Sequence, residues 1–277
     1  ECSESGRNAL KEKRVITSYL AGKNNGAVIL SEDEGTSVLL NGEDHVRIQV
    51  LCNGMDIQSC FKKANEIDDY IDAHFDYAFD EKYGYKTTFP TNTGTGMKAG
   101  YTLHLPSLSD ARRLNDISAE LGRFGLKFRT VYGDGQNGYG NLYQISTQKT
   151  LGQDEREVIK DLDDIVLQIV NQEKEQREHF YKKDKIQMDD EIYKSYGVLK
   201  YARKLSLKDS MVLISELMTG VSLGVLQFAH NGRYNINELI MDIQPAVLRQ
   251  NSGKAMSVAE TDVLRAEYIR KYLPEII

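Results

Sequence analysis

Between residues 26 and 52 the apolar positions come in three short runs, at 26–31, 36–41 and 45–52, separated by clusters of Glu, Asp and Gly. Runs of this length between turn-like breaks predict strands, and the short connections predict antiparallel pairing. From 55 to 75 the period changes. Ile57, Phe61, Ala64, Ile67, Ile71 and Phe75 recur at three- to four-residue steps, with Lys62, Lys63, Glu66 and Asp69 on the other side. That is the pattern of an amphipathic helix. Further extended runs are predicted at 83–89, 101–105, 127–132 and 142–146; Pro90 and Pro106 end the first two. Ser107 or Ser109 offers a cap for a helix running to Leu121. A long amphipathic helix from about Asp154 to Arg177 turns Val158, Leu162, Ile165, Ile169 and Val170 inward.

After Glu173 the strand pattern disappears. Helical periodicity predicts helices over 190–205, 207–228, 236–242 and 258–273, and Ser257 with Glu260 forms a capping-box pattern before the last. Lys182-Lys183-Asp184-Lys185 reads as a linker. The predicted architecture is therefore α+β over 1–180, an antiparallel sheet flanked by helices, followed by an all-α domain over 186–277. Leu213, Leu217, Val221 and Leu226 are expected in a core or a dimer contact. Residues 1–14 read as the tail of a helix already under way. Together with a first residue that is not Met, this suggests a fragment, though processing or trimming gives the same appearance.

Composition narrows the class. A net charge of -6 argues against a general nucleic-acid binder, while leaving room for a local basic pocket. There is no apolar run of about 18 residues, so no membrane-spanning helix is indicated, and no signal peptide is apparent. Cys2, Cys52 and Cys60 are odd in number and lack a CxxC spacing, so reduced thiols and a cytoplasmic location are expected. His45, His74, His104, His179 and His230 are too dispersed to form a metal-ligand pattern.

The candidate chemistry lies in three polar loops. In Asn41-Gly42-Glu43-Asp44-His45-Val46-Arg47, an extended backbone places Glu43, His45 and Arg47 on one face. A carboxylate beside a guanidinium suits proton movement next to a phosphate; the alternative is a hairpin turn with solvated charges. The loop Thr91–Gly100 contains Gly94-Thr95-Gly96 and then Lys98, without the Gly-Lys-Ser/Thr ending of a P-loop. Its backbone N–H groups and the lysine can hold phosphate. Gly133–Gly140 is a second glycine-rich loop, preceded by Arg129. Arg47, Lys98 and Arg129 can supply three cations to one anion, or each can serve an ordinary salt bridge.

In combination these loops are more specific. Asn41-x-Glu43-Asp44-His45-x-Arg47, Pro90-Thr91-Asn92-x-Gly94-Thr95-Gly96-Met97-Lys98-Ala99 and Arg129-x-x-Tyr132-Gly133-Asp134-Gly135, followed by Gly140-Asn141-Leu142-Tyr143-Gln144-Ile145-Ser146, resemble the catalytic domain of the phosphagen (ATP:guanidino) phosphotransferase family. Ser195–Leu199 and Leu217–Gly224 resemble the extra helical domain of its bacterial branch that phosphorylates arginine in proteins. The resemblance runs from about Gly26 to Ile269. It implies a glutamine-synthetase/guanido-kinase-like fold that moves the ATP γ-phosphoryl group to a guanidinium. Glu43 would be the catalytic carboxylate. Arg47, Lys98, Arg129 and His45 would lie at ATP, which brings Mg²⁺. Asp134, Asn137 and Phe89 would lie on the substrate side, and Asp262 with Arg265 would belong to a phosphoarginine-binding regulatory pocket. Implied partners are arginine-containing proteins, an activator or adaptor, a chaperone–protease system and a second copy of the chain.

The sequence also departs from the family pattern. Gly42 replaces the first of two glutamates, Phe89 stands where a cysteine is usual, Lys98 replaces arginine, and Asn137 occupies an often acidic position. Thr261 replaces the first arginine of Arg-Asp-x-x-Arg-Ala, and no Arg-x-Arg phosphate clamp is present. The departures at 42, 89, 98 and 261 favour a competing expectation, a degenerate, non-catalytic binding module, which the retained Glu43, Arg47 and Arg129 oppose; a third is a kinase of a free guanidino metabolite, against which the extra helical domain argues.

Overall fold

The computed structural model describes residues 2–133, 138–229 and 236–277. Helix α1, Glu4–Glu12, begins with its own cap, the Ser3 side chain accepting from the Gly6 N–H at 3.1 Å. After the short α2, Ser18–Ala21, strands β1 (Ala27–Leu30), β2 (Thr36–Leu40) and β3 (Val46–Val50) form an antiparallel meander in that order. Val15, Ile16 and Leu20 pack with Leu39 into a small core that attaches the segment after α1 to this sheet.

Helix α3, Ile57–Asp72, is capped by Asp56. The extended run predicted at 83–89 pairs only at Gly84–Tyr85 (β5), against Phe79–Asp80 (β4), and Pro90 opens a single 3-10 turn. A second three-stranded sheet holds β6 (Gly100–His104), β8 (Leu142–Thr147) and β7 (Leu126–Thr130), with β8 central and all pairs antiparallel. The predicted single sheet is thus several small antiparallel sheets. The helix expected to reach Leu121 is two: α4 (Pro106–Asp110) and α5 (Leu114–Arg123). Arg112 breaks it with φ 58. Neither serine caps α4. Glu173 does so from another helix, accepting from the N–H groups of Ser107 (3.1 Å) and Leu108 (2.9 Å).

Helix α6 runs through Glu155–Lys183, and α7 begins at Lys185 and ends at Tyr201, so the linker contracts to Asp184. Then follow α8 (Leu207–Ser222), α9 (Ile236–Asp242), α10 (Pro245–Ser252) and α11 (Val258–Tyr272). Helix α8 stops before the expected Phe228 because Gly224 turns left-handed, φ 72. The unexpected α10 carries Pro at its first position and Gly253 just past its end, a recognised start and stop pair. The capping box of Ser257 and Glu260 forms on α11.

One core packs Tyr101, Leu103 and Ile145 of the second sheet against Ile117, Leu121, Ile159, Leu162 and Val166. A second lies among α7 to α11, around Leu199, Ile214, Leu217, Leu239 and Ile269. Leu142 is part of this second core and Val131, Tyr132 and Tyr139 pack against it, so the sheet region and the helical region share packing. Of the four side chains expected in a core or dimer contact, Leu217 and Leu226 are buried and Val221 is exposed. Cys52 and Cys60 are brought side by side, Cα–Cα 6.3 Å. The turn after β3 brings the first turn of α3 back over the strand end, a proximity that cysteine counting does not reveal. No helix among the described residues is long and apolar enough to cross a membrane.

His104 lies between the two regions. Its Nε2 is 2.8 Å from Ser215 Oγ on α8, which also accepts from Asn141 Nδ2 at 3.1 Å. Burial, with a smaller effect from Arg177, lowers its pKa from 6.5 to about 3. Between these values the unfolded chain binds the proton that the folded chain refuses. Stability is therefore complete above about pH 6.5 and falls as pH drops, by up to roughly 1.4 kcal/mol per unit. Thermal midpoints measured from pH 7 to 4 are expected to fall more steeply for the unaltered chain than for His104→Gln. Parallel profiles contradict this role.

Candidate active site

Leu40 pairs with Val46, and residues 41–45 form the bend between β2 and β3. Asn41 takes φ 58 and its N–H donates to the His45 carbonyl at 2.9 Å. Glu43 and His45 are thus in a hairpin bend, and only Arg47 is on a strand; the alternation argument fails because the chain is already turning. The bend nevertheless holds its carboxylate in place. Glu43 is half-buried, and Thr17 Oγ1 donates to its Oε2 at 3.0 Å. Thr17 is fixed in turn as the cap of α2, accepting from the Leu20 N–H at 3.1 Å. Lys23 Nζ donates to the carbonyls of Asn41 and Gly42. Sequence reasoning missed Thr17, whose only visible signal is that of a helix cap.

Asp44 joins this bend to the next loop. Its carboxylate accepts from the Thr88 N–H at 2.7 Å and from Asn92 Nδ2 at 3.2 Å. Asn92 Oδ1 accepts from Lys98 Nζ at 2.5 Å. Burial and the nearby Arg47 lower the Lys98 pKa; Asp44 opposes this and Lys127 adds to it. Lys98 therefore feels both Arg47 and Lys127. Arg129 is two residues from Lys127, on the same face of β7. It is held across the ladder, its Nε donating to Gln144 Oε1 at 2.7 Å. No carboxylate of the described residues forms an ion pair with Arg47, Lys98 or Arg129. His45 and Arg47 are exposed, as is Phe89 at 48%.

The loop leading to Lys98 is locked by backbone bonds. Tyr85 N–H donates to the Gly94 carbonyl and Thr95 N–H to the Thr150 carbonyl, both at 2.8 Å. Gly94 takes φ 113, and a Cβ there would lie 2.1 Å from the Thr150 carbonyl oxygen. Gly94→Ala combines a disallowed conformation with a backbone clash, an expected loss of about 2 kcal/mol or more. Urea unfolding checks this; an unchanged midpoint means the loop can shift freely.

Arg14 is a further cation that the sequence does not single out. Its guanidinium stacks 5.4 Å from the Tyr132 ring centroid, beside the second glycine-rich loop. Asp134 and Asn137 in that loop lie outside the described residues. Arg265 is 1% exposed. Its Nε donates to the Ile243 carbonyl and its Nη1 to the Leu205 carbonyl, each at 2.9 Å, with Asp262 Oδ1 at 2.6 Å. In this arrangement both residues serve the helical core. A cavity of about 290 Å³ behind β7, lined by Phe124, Leu126, Leu162 and Ile165, contains none of the candidate residues. Among the described residues no group of three or more His, Cys, Asp or Glu side chains is placed to hold a metal.

A carboxylate held in the bend before β3, with Arg47 on β3, Lys98 before β6 and Arg129 on β7, is an arrangement that suits phosphoryl transfer. Residues 1–176 match the ATP:guanido phosphotransferase C-terminal catalytic domain, and the chain belongs to that family. Within it, its place is among the protein-arginine kinases: residues 185–276 match the C-terminal domain of protein-arginine kinase McsB. The protein-arginine kinase of Bacillus pumilus is 40% identical over 273 residues, covering 99% of this chain and 75% of that protein. That of Bacillus subtilis is 40% identical over 267 residues, covering 96% and 73%. The duplicated taurocyamine kinase of Schistosoma mansoni shares the fold, with TM-score 0.53 and 20% identity over 62% of this chain and 25% of that one.

Proposed function

We propose that the chain transfers the γ-phosphoryl group of ATP to arginine guanidinium groups of proteins. The observation that supports this most is the Asp44–Asn92–Lys98 chain of hydrogen bonds, which ties Lys98 to the bend carrying Glu43, with Arg47 close enough to lower the Lys98 pKa. Phosphoryl transfer needs positioning and charge stabilisation more than covalent chemistry. Arg47, Lys98 and Arg129 contact the phosphates and stabilise the ADP oxygen as its bond to the γ-phosphorus breaks; His45 lies near the nucleotide. The attacking guanidinium, with a free pKa above about 12, gives up a proton to Glu43 as the N–P bond forms. Thr17, by donating to Glu43, aims its carboxylate. Mg²⁺ would accompany ATP and would supply charge neutralisation at the phosphates. Phe89 borders the guanidinium; the family pattern gives Asp134 and Asn137 the same side, and both lie outside the described residues.

The same reading extends to a cytoplasmic setting, an activator or adaptor, a chaperone–protease system and a homodimer through residues 190–270. The exposed Val212 and Val221 on α8 support a dimer, as does Tyr201 at the end of α7. Light scattering at micromolar concentration is expected to give twice the chain mass; a monomer contradicts it. The function is tested with Mg-ATP and, separately, an unfolded arginine-rich protein and free arginine. Acid-labile phosphate on the protein supports the proposal. Transfer to free arginine alone makes the chain a metabolite kinase, and ATP binding without transfer makes it a binding module.

A further inference from the structure

Arg14 follows α1 and adopts a left-handed conformation, φ 62. Glycine usually occupies such a position, since any other side chain costs about 1 kcal/mol there. The contacts show what the side chain does. The Arg14 carbonyl accepts from Gln49 Nε2 at 2.5 Å, and Gln49 lies two residues beyond Arg47 on β3. The Arg14 guanidinium donates to the Val131 carbonyl at 3.4 Å, and Val131 lies two residues beyond Arg129. Val131 prolongs the pairing of β7, its N–H donating to the Leu142 carbonyl at 2.9 Å. One residue therefore touches both strands that carry phosphate-directed arginines, at matching offsets.

Charge reinforces this placement. Burial lowers the Arg14 pKa; Tyr132 opposes the shift and the neighbouring Arg129 deepens it. No carboxylate of the described residues pairs with either guanidinium. Two residues earlier, Glu12 reaches the helical region. Its carboxylate accepts from the N–H groups of Ala246 (2.6 Å) and Val247 (3.1 Å), in the first turn of α10. Helix α10 in turn reaches α11 through Arg249 Nε, which donates to Thr261 Oγ1 at 3.2 Å.

We infer that Arg14 is a positioning residue for the nucleotide, setting the separation of Arg47 and Arg129, and that Glu12 ties this separation to the placement of α10. The inference rests on the proposed assignment of those two arginines to the ATP phosphates. It is tested in the full chain by titration calorimetry with MgADP, alongside thermal midpoints and the Michaelis constants for ATP and for protein substrate.

Arg14→Gln is expected to weaken MgADP binding and raise the ATP KM by about tenfold, with the protein-substrate KM within about twofold. Arg14→Lys keeps the charge but loses the planar fork, and is expected to weaken MgADP by about threefold. Glu12→Ala is expected to act in the same direction by a similar factor. A folded Arg14→Gln with unaltered MgADP affinity overturns the inference. If that variant does not fold, wild-type affinity in Arg14→Lys does so. If the unaltered chain binds no nucleotide, the phosphate assignment fails and takes the inference with it. If it binds and the folded variants match it, the inference alone fails.

Discussion

Glu43→Gln is expected to lower phosphoryl transfer to protein arginine by about three orders of magnitude, within the range of a lost general base, while ATP affinity stays within about twofold. The substitution preserves shape. A glutamine carbonyl can still accept from Thr17 Oγ1, which sits 3.0 Å from the carboxylate, so the bend keeps its anchor. The bend is also held by the Asn41–His45 backbone bond and by Asp44, neither of which needs the charge at 43. What disappears is the ability to take a proton from a group that holds it tightly. The effect should appear in kcat at saturating ATP, with the ATP KM nearly unchanged, because the assigned phosphate contacts come from Arg47, Lys98 and Arg129. A rate within tenfold of the unaltered chain removes Glu43 from the role of proton acceptor. A large rise in the ATP KM instead places it at the nucleotide.

The elements around this site were legible where periodicity was clean. β1, β2, β3 and α3 fall almost where alternation and three- to four-residue steps put them. The three cations were visible as charges in glycine-rich contexts. The extended backbone drawn through Glu43 was not correct, because alternation says nothing about where a hairpin turns; Asn41 in the left-handed region decides that. Thr17 and Arg14 were not legible for a different reason. Each acts through partners 26 and 117 residues away, a reach no local pattern encodes. The same holds for the cap of α4. Two serines stood at plausible positions, but a carboxylate 66 residues further on, already in the core, satisfies those amides. At Arg265 the motif implied a ligand contact and gave no sign of the packing role, in which the guanidinium donates to carbonyls of the chain itself.

Glu173→Ala is expected to produce the largest loss of stability, about 3–5 kcal/mol, as measured for buried ion pairs broken on one side. Glu173 is 2% exposed and Arg177 7%. The carboxylate accepts from two α4 amides and, at 2.8 Å, from Arg177 Nη2. Removing it leaves two orphaned N–H groups and a buried cation whose Nε already lacks a partner. Arg177 Nη1 donates to Ser222 Oγ on α8, so the damage reaches the helical region as well. Adding Arg177→Met removes the stranded charge. The double variant should recover only part of the loss, since the α4 amides remain unpaired. Urea unfolding followed by far-UV circular dichroism checks both expectations. A loss below about 1 kcal/mol for the single variant shows that water or a neighbouring group takes over the carboxylate's place. Full recovery in the double variant assigns the whole penalty to the charge on Arg177 and none to the cap. Because the pair links α4, α6 and α8, the single variant should also separate one cooperative transition into two, with the sheet region and the helical region unfolding at different urea concentrations.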